Sequence, residues 1–558
     1  MFCKNNTQQF SLNDPLITMP KYLKEILAKG WAHLFQEYIF PNINEERFSV
    51  LYSDNPATRP NSPVNILIAL LILKELFNHT DEELIGSLHF DMRYQYAVRT
   101  TSFERQPVSV NTLYNFRKRL YDYEQATGID LLQQEVEEQA KLIAKYLEVD
   151  SKKVRMDSFM VSSSSKKLSR IELIYTVNAR VVKSLDKIDP KIIPSECKAY
   201  LEKGHKNATV YRTRDQEAES KLEFLLRHSQ DLYNAGLKAG EHVTTTEEFQ
   251  HLERMLKEQL KQDEAGKQIP KKGSEISSES LQNPTDPDAT YRKKYGDNIG
   301  YVANVVEAMD DENSVIIHYD LKPNTYSDSA FADDVIEKLT QELHEEENRR
   351  QVLIDGAYYE QEKAEKASDK GIDLIPGELV GRKPNEEKIS YAQFSVNEDE
   401  NRVEQCPSGK TPIDSSYNEK NNSYTAKFDK EHCNNCSKRK NCPVKDQKKN
   451  TVVRFTKKRY KTDQQRIRMK EQEYIELTNQ RAGVEGIPSV FRRTYAIDHM
   501  PVRGLVRSKF WFGAKILAYN TKKLLKKGLS LGKRYFFACY KAFNRHDIQV
   551  NMYFIFEK

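Results

Sequence analysis

The chain has no apolar run long enough to cross a bilayer. The longest clean one, Ile66 to Leu73, falls far short of the roughly 20 residues a membrane helix needs. Its first residues, Met1-Phe2-Cys3-Lys4-Asn5-Asn6, lack the apolar segment of a secretory signal, so a cytoplasmic protein is expected, with no membrane partner. There is little charge excess: 87 Lys and Arg against 82 Asp and Glu give +5 over 558 residues. That balance does not demand a polyanionic partner, but it conceals clusters. Basic residues crowd Lys445 to Lys470 and Lys509 to Lys533, and acidic ones crowd Asp215 to Glu264 and Asp333 to Glu365. Cysteine is scarce and odd in number, at seven, which fits a reducing compartment better than a disulfide framework. No internal repeat is visible. A mean hydropathy of −0.75 describes a soluble chain long enough for two to four domains.

Residues 1 to about 150 read as helical. Pro63 to Phe77 is apolar nearly all round and reads as a core helix. Thr80 followed by Glu83 reads as a capping box opening the next helix. Ser109 to Leu120 is a helix with a basic face carrying Arg117 and Arg119. Such a face either meets DNA, as in helix-turn-helix modules, or is simply solvated. The pattern then changes. Lys153 to Val161 alternates with period two and reads as a strand with Asp157 at its centre. Residues 170 to 260 return to long charged helix, and Gln262 to Asp288 reads as a loop or linker. Strands resume at Ile299–Glu307 and Ser314–Tyr319, joined by the hairpin loop Asp310–Asn313. A helix from about Ser329, capped by Ser327 or Asp328, leads to a short apolar strand that ends on Asp355 and Gly356. His318 and Trp511 read as packed residues. This order fits a mixed α/β fold, a mixed sheet flanked by helices.

Asp157 within an apolar strand is unusual, because a buried unpaired charge is costly. Asp355 at a strand end is also what a turn residue or helix cap looks like. Neighbouring strands could bring both carboxylates together, where they would repel unless a cation joined them. Oxygen-only ligands favour Mg²⁺ or Mn²⁺. Two such ions about 3.5–4 Å apart can activate a water and stabilise the leaving oxygen of a phosphodiester. A third carboxylate, Glu485, lies in Asn479-Gln480-Arg481-Ala482-Gly483-Val484-Glu485-Gly486-Ile487-Pro488-Ser489-Val490-Phe491-Arg492. Helical spacing sets Arg481 beside it and returns Arg492 near the same face two turns on, unless Gly486 and Pro488 break the helix.

Four cysteines form a second pattern. Cys433-Asn434-Asn435-Cys436 is a tight knuckle, and Cys406 and Cys442 complete four thiolates, the count of a closed structural Zn²⁺ site. The bland alternative is four reduced thiols in a loop. Lys438, Arg439, Lys440, Lys445, Lys448 and Lys449 around them suit either a module pressed on phosphates or a solvated surface. Cys3, Cys197 and Cys539 read as ordinary thiols.

With these residues placed, the chain resembles bacterial insertion-sequence DDE transposases with a helical N-terminal domain and a cysteine cluster. The resemblance rests on Ile68 to Leu84, Thr112 to Leu120, Arg155-Met156-Asp157-Ser158, Asp288 to Lys294, Gly300 to Val305, Ile354-Asp355-Gly356-Ala357-Tyr358, the Arg481/Glu485 pair and Leu517-Ala518-Tyr519-Asn520. It implies an RNase H-like core in which Asp157, Asp355 and Glu485 bind two Mg²⁺ ions. It further implies nicking at transposon terminal inverted repeats and strand transfer into target double-stranded DNA by a homodimer on DNA, in a nucleoid-associated setting. Arg481, Arg492, Arg117 and Arg119 are then the DNA-facing cations. A related pattern has Tyr and Lys where this chain has Thr478 and Arg492; Arg492 keeps the charge, while Thr478 loses a ring. The long gaps between the acids require insertions. The expected domains are 1–150 helical and DNA-binding, 151–395 the first part of the core with a helical insertion at about 165–290, 396–450 the zinc-type insertion, 451–525 the last part of the core, and 526–558 a tail. Two competitors remain open: an inactive zinc-containing DNA-binding derivative, and a nuclease without strand transfer.

Overall fold

A computed structural model describes residues 1–5, 14–102, 106–211, 217–294, 296–343, 349–381 and 383–543, with side chains described as far as 529. Cys539 lies outside the described side chains. Among the described residues, no helix is long and apolar enough to cross a membrane.

The centre is a six-stranded mixed sheet. Its principal strands are β1 (Lys153–Ser162), β2 (Asp297–Met309), β3 (Ser314–Pro323), β4 (Arg350–Ile354) and β5 (Ile372–Pro376). Across the sheet they run β3-β2-β1-β4-β5, with Thr290–Lys293 added at the start of β2. β2 is antiparallel to β1 and β3, while β1, β4 and β5 are parallel. An antiparallel meander of three strands followed by two parallel ones, in the order 3-2-1-4-5, is the RNase H-like arrangement. The chain is therefore mixed α/β as expected. β2 is buried along almost its whole length, because helices cover both faces of this part of the sheet.

The N-terminal part is helical as expected. Helix Val64–Phe77 is buried on every side, and its two inward charges are paired. Lys515 Nζ lies 2.5 Å from Glu75, and Lys74 Nζ lies 3.2 Å from Asp81. The Thr80/Glu83 capping box forms in both directions. The long helix Leu505–Phe543 packs against Val64–Phe77, Leu131–Tyr146 and β3, so residues 526–543 continue a helix and are not a separate tail.

Helices Arg170–Ile188, Ala218–Ala239 and Glu247–Gln259 form the insertion after β1 around a core of their own, including Val181, Leu225, Leu252 and Met255. Gln262 to Asp288 is largely irregular, but its end is built in. Asp286 is 1% exposed, accepts from Tyr301 at 2.5 Å and from the Gly504 N–H at 3.0 Å, and so ties β2 to the start of the last helix. The cysteine region is a small sheet in which Ser423–Asp429 pairs with Asp414–Asn418 and with Asn450–Thr456. Val453, Phe455 and Tyr460 belong to its core, which moves the expected boundary at 450 to beyond Tyr460.

One glycine in the main sheet has no substitute. Gly300 has φ +153°, and a Cβ there would stand 2.2 Å from the Val161 carbonyl oxygen and 2.7 Å from the Ser163 nitrogen. Both are backbone atoms of the neighbouring strand and cannot yield cheaply. Gly300→Ala is expected to destabilise the fold by about 3 kcal/mol or more, read from urea unfolding.

Candidate active site

β1 carries Asp157 at its middle, and Asp355 follows β4 directly. The parallel register pairs Val154 with Val352 and Arg155 with Leu353. Continued by two residues, it sets Asp157 level with Asp355 on strands about 4.8 Å apart. Asp157 accepts from the Ser158 N–H at 2.9 Å, and Asp355 from the Gly356 N–H at 2.7 Å. Asp355 thus also caps the short turn Gly356–Tyr358, the modest role its position allows.

The third carboxylate arrives from the other end of the chain. Glu485 closes the 3-10 turn Ala482–Glu485, between helices Gln472–Arg481 and Gly486–Tyr495. Val484 is fully buried and anchors the turn in the main core, while the Glu485 side chain is 59% exposed. Arg481 Nη2 donates to Glu485 Oε1 at 2.8 Å, the expected i,i+4 contact. The Arg481 guanidinium lies over Gly377, just past β5. Pro488 sits in the first turn of its helix, where its missing N–H costs nothing.

The electrostatics tie these groups together. Burial pushes the Asp157 carboxyl up to about 6; the Ser158 N–H and Arg481 oppose that rise, and Asp355 and Glu485 add to it. Asp355, Glu485 and Arg481 thus each lie near enough to bear on the Asp157 carboxyl. Among the described residues, no group of three or more His, Cys, Asp and Glu side chains is gathered closely enough to hold a metal ion. The donor set still suits a hard divalent cation. Three carboxylates would offer it only oxygen ligands, and Glu485 has Arg481 as its counter-charge.

The four thiols are also neighbours. Cys406, Cys433 and Cys442 pack against the small-sheet core. Burial pushes the Cys442 thiol up, and Cys433, Cys406 and Cys436 push it further. Ser408 Oγ lies 3.1 Å from Cys436 Sγ, and that contact helps hold the thiol below its usual value. All four are free of disulfides.

Two family models match the chain: a transposase DDE domain over residues 405–525, and a transposase domain, DUF772, over residues 33–119. Both matched regions are transposase domains. The first match contains Glu485 and the four cysteines, and the second covers the helical region around Val64–Phe77. No curated protein matches the chain. Among solved structures it is similar to a piggyBac transposase synaptic complex with hairpin DNA, at 9% identity over 97% of this chain and 87% of that one, with a TM-score of 0.20. A score that low carries no argument, and the fold rests on the strand order above.

Two of the expected DNA-facing cations are occupied elsewhere. Arg117 is a correction. It is buried, donates to Asp81 at 2.9 Å and lies 5.3 Å over the Trp511 ring, so it joins the helical domain to the last helix and does not face DNA. Arg119 is exposed, over the Tyr52 ring. Arg492 does not return to Glu485. It donates to Asp498 at 3.0 Å and to the Met160 carbonyl at 2.8 Å. Its helix begins afresh at Gly486, so the two-turn spacing does not apply. His318 is packed between Glu137 and Glu342, and Ser327 caps its helix, both as expected.

Sequence reasoning passed over one group. Glu307 of β2, with a fully buried side chain, accepts from Arg155 of β1 and from Lys523 of the last helix. A lone Glu in a strand otherwise buried and apolar was the available signal.

Proposed function

We propose that this transposase cleaves DNA at transposon ends and joins the freed 3′-hydroxyl to target DNA by Mg²⁺- or Mn²⁺-dependent phosphoryl transfer. What supports this reading is the register that sets Asp157 level with Asp355, with Glu485 and Arg481 near enough to bear on the Asp157 carboxyl. These three carboxylates would hold the ions. When bound, divalent ions activate the attacking oxygen and neutralise the leaving one. The chain's own contributions are separate. Asp157 must be deprotonated to act as a ligand, and Arg481 orients Glu485 or, once released, grips phosphate. Arg119 and Arg492 remain proposed DNA contacts, the latter through whatever its Asp498 partner leaves free. The four cysteines are proposed to hold one structural Zn²⁺ in the small sheet. A homodimer bridging two terminal inverted repeats is proposed as the working unit.

The test is an assay on duplexes bearing the element's own ends, with Mg²⁺ and a supercoiled target, scoring nicked and joined products separately. Wild type is expected to give both, and Asp355→Ala neither, at unchanged end binding. Nicks without joined product would make the protein a nuclease. Equal products from wild type and Asp355→Ala would remove Asp355 from the chemistry.

A further inference from the structure

Asp157 and Glu485 lie 328 positions apart, and one side chain joins the elements that carry them. Arg155 precedes Asp157 by two residues on β1, so both project from the same face. Its direct partner across the antiparallel ladder is Glu307. Arg155 Nε and Nη2 donate to Glu307 Oε2 at 2.8 and 2.6 Å, and Lys523 Nζ donates to the other oxygen at 2.7 Å. The carboxylate is fully buried and Arg155 is 12% exposed, so the guanidinium is held on a fixed anion. Its remaining arm points away from the sheet. Nη1 donates at 2.7 Å to the carbonyl of Gln480, in the last turn of helix Gln472–Arg481. The next turn lies directly on the guanidinium: a Cβ at Gly483 would stand 2.1 Å from Arg155 Nη1. Gly483 is two residues before Glu485.

The far end of the same helix is fastened independently, by Tyr474 donating to the Pro376 carbonyl at 2.9 Å. That contact sets where the helix begins against β5. The Arg155 contact sets where it ends, and hence where Glu485 leaves the core.

We propose that Arg155 is a positioning residue that fixes the Glu485 turn against the Asp157 strand, so that the third carboxylate reaches the first two when a divalent ion binds. This rests on the reading of Asp157, Asp355 and Glu485 as metal ligands. Arg155 touches neither substrate nor ion; it acts through Gln480 and Gly483. A guanidinium is needed because two arms must hold Glu307 while a third reaches a carbonyl, which an ammonium cannot reproduce in one geometry.

The test titrates Mn²⁺ alone into the full-length protein, counting bound ions by electron paramagnetic resonance, with duplex binding and melting recorded in parallel. Arg155→Met and Gly483→Ala are each expected to weaken Mn²⁺ binding about tenfold or more, the range for outer residues that orient metal ligands. Duplex binding should stay within about twofold of wild type, and Arg155→Lys should fall between. Should Arg155→Met fail to fold with Glu307 left half-paired, Gly483→Ala decides, since it displaces the guanidinium without removing a charge. Wild-type Mn²⁺ affinity in Gly483→Ala and Arg155→Met, with Asp355→Ala deficient, overturns the positioning role alone. Wild-type affinity in Asp355→Ala as well overturns the metal-ligand reading beneath it.

Discussion

Asp157→Asn is expected to abolish cleavage, by at least about 10³-fold, while making the metal-free protein more stable at neutral pH. Both effects come from the same carboxyl. Burial, Asp355 and Glu485 raise it from 3.8 to about 6 against the pull of the Ser158 N–H and Arg481. Between those values the folded protein holds a proton that the unfolded chain has lost. Stability contributed at this position is therefore highest below about pH 4, declines as pH rises through that window, and is lowest above about pH 6. Asparagine carries no charge to penalise. In EDTA at pH 7.5 the variant should gain on the order of 1–3 kcal/mol, the upper figure being the whole shift and the lower one allowing for solvent. At pH 4 the two proteins should melt alike. Adding Mn²⁺ should stabilise wild type and leave Asp157→Asn behind, because the cation turns a repulsive site into a bound one. An Asn variant that is less stable than wild type in EDTA, at every pH, would mean that the three acids are not mutually strained. A loss of cleavage alone would then say little about metal.

The same carboxyl shows how far the sequence could be read. A charged residue in an apolar, alternating strand marks a site because its burial costs free energy unless function repays it. Asp157's place on a half-buried strand was legible on that ground, and so was the β2–β3 hairpin from its apolar runs and the acidic loop between them. What escaped was set by contacts distant in sequence. β5 is five residues long, too short to show a period. The small sheet's strands are built from Ser, Tyr, Thr and Lys, which reads equally as loop. Arg117 looked like part of a wet basic face, yet Leu113, Phe116, Arg117 and Leu120 form one i, i+3, i+4, i+7 stripe and all are buried. Its guanidinium goes inside because Asp81 and Trp511, on other helices, receive it. Arg492 was misplaced for a related reason. The left-handed Ala496, at φ +46°, turns the chain so that Asp498 meets Arg492 six residues on, a pairing that helical spacing does not anticipate.

If the four cysteines hold zinc as proposed, removing it is expected to unfold the small sheet while leaving the main core folded. Among the described residues this unit buries eight hydrophobic side chains in its core, among them Phe394, Tyr424, Phe428 and Phe455. So small a core does not ordinarily stand alone without a disulfide or a metal. Its four cysteines form no disulfide, and the Cys433 and Cys442 thiols are pushed up by burial and by neighbouring thiols. As neutral thiols they add no cross-link, whereas a tetrahedral Zn²⁺ ion, if bound as proposed, would hold them as thiolates and supply both the charge and the cross-link. Structural zinc sites of this type are worth about 10–16 kcal/mol in small peptides, which exceeds the stability of most domains. Protein purified without chelator should carry about one zinc per chain. Stripping it should make Cys406, Cys433, Cys436 and Cys442 reactive together toward a thiol reagent, and open 395–456 to proteolysis at Lys427 and Lys445. Cys436→Ser should do the same without chelator. Because Tyr474 and Arg155 hold the Glu485 turn from the sheet side, a main core that keeps its urea midpoint after chelation is part of the expectation. Zinc-free protein whose four thiols react no faster than those of untreated protein would show that the knuckle is a loop of ordinary thiols.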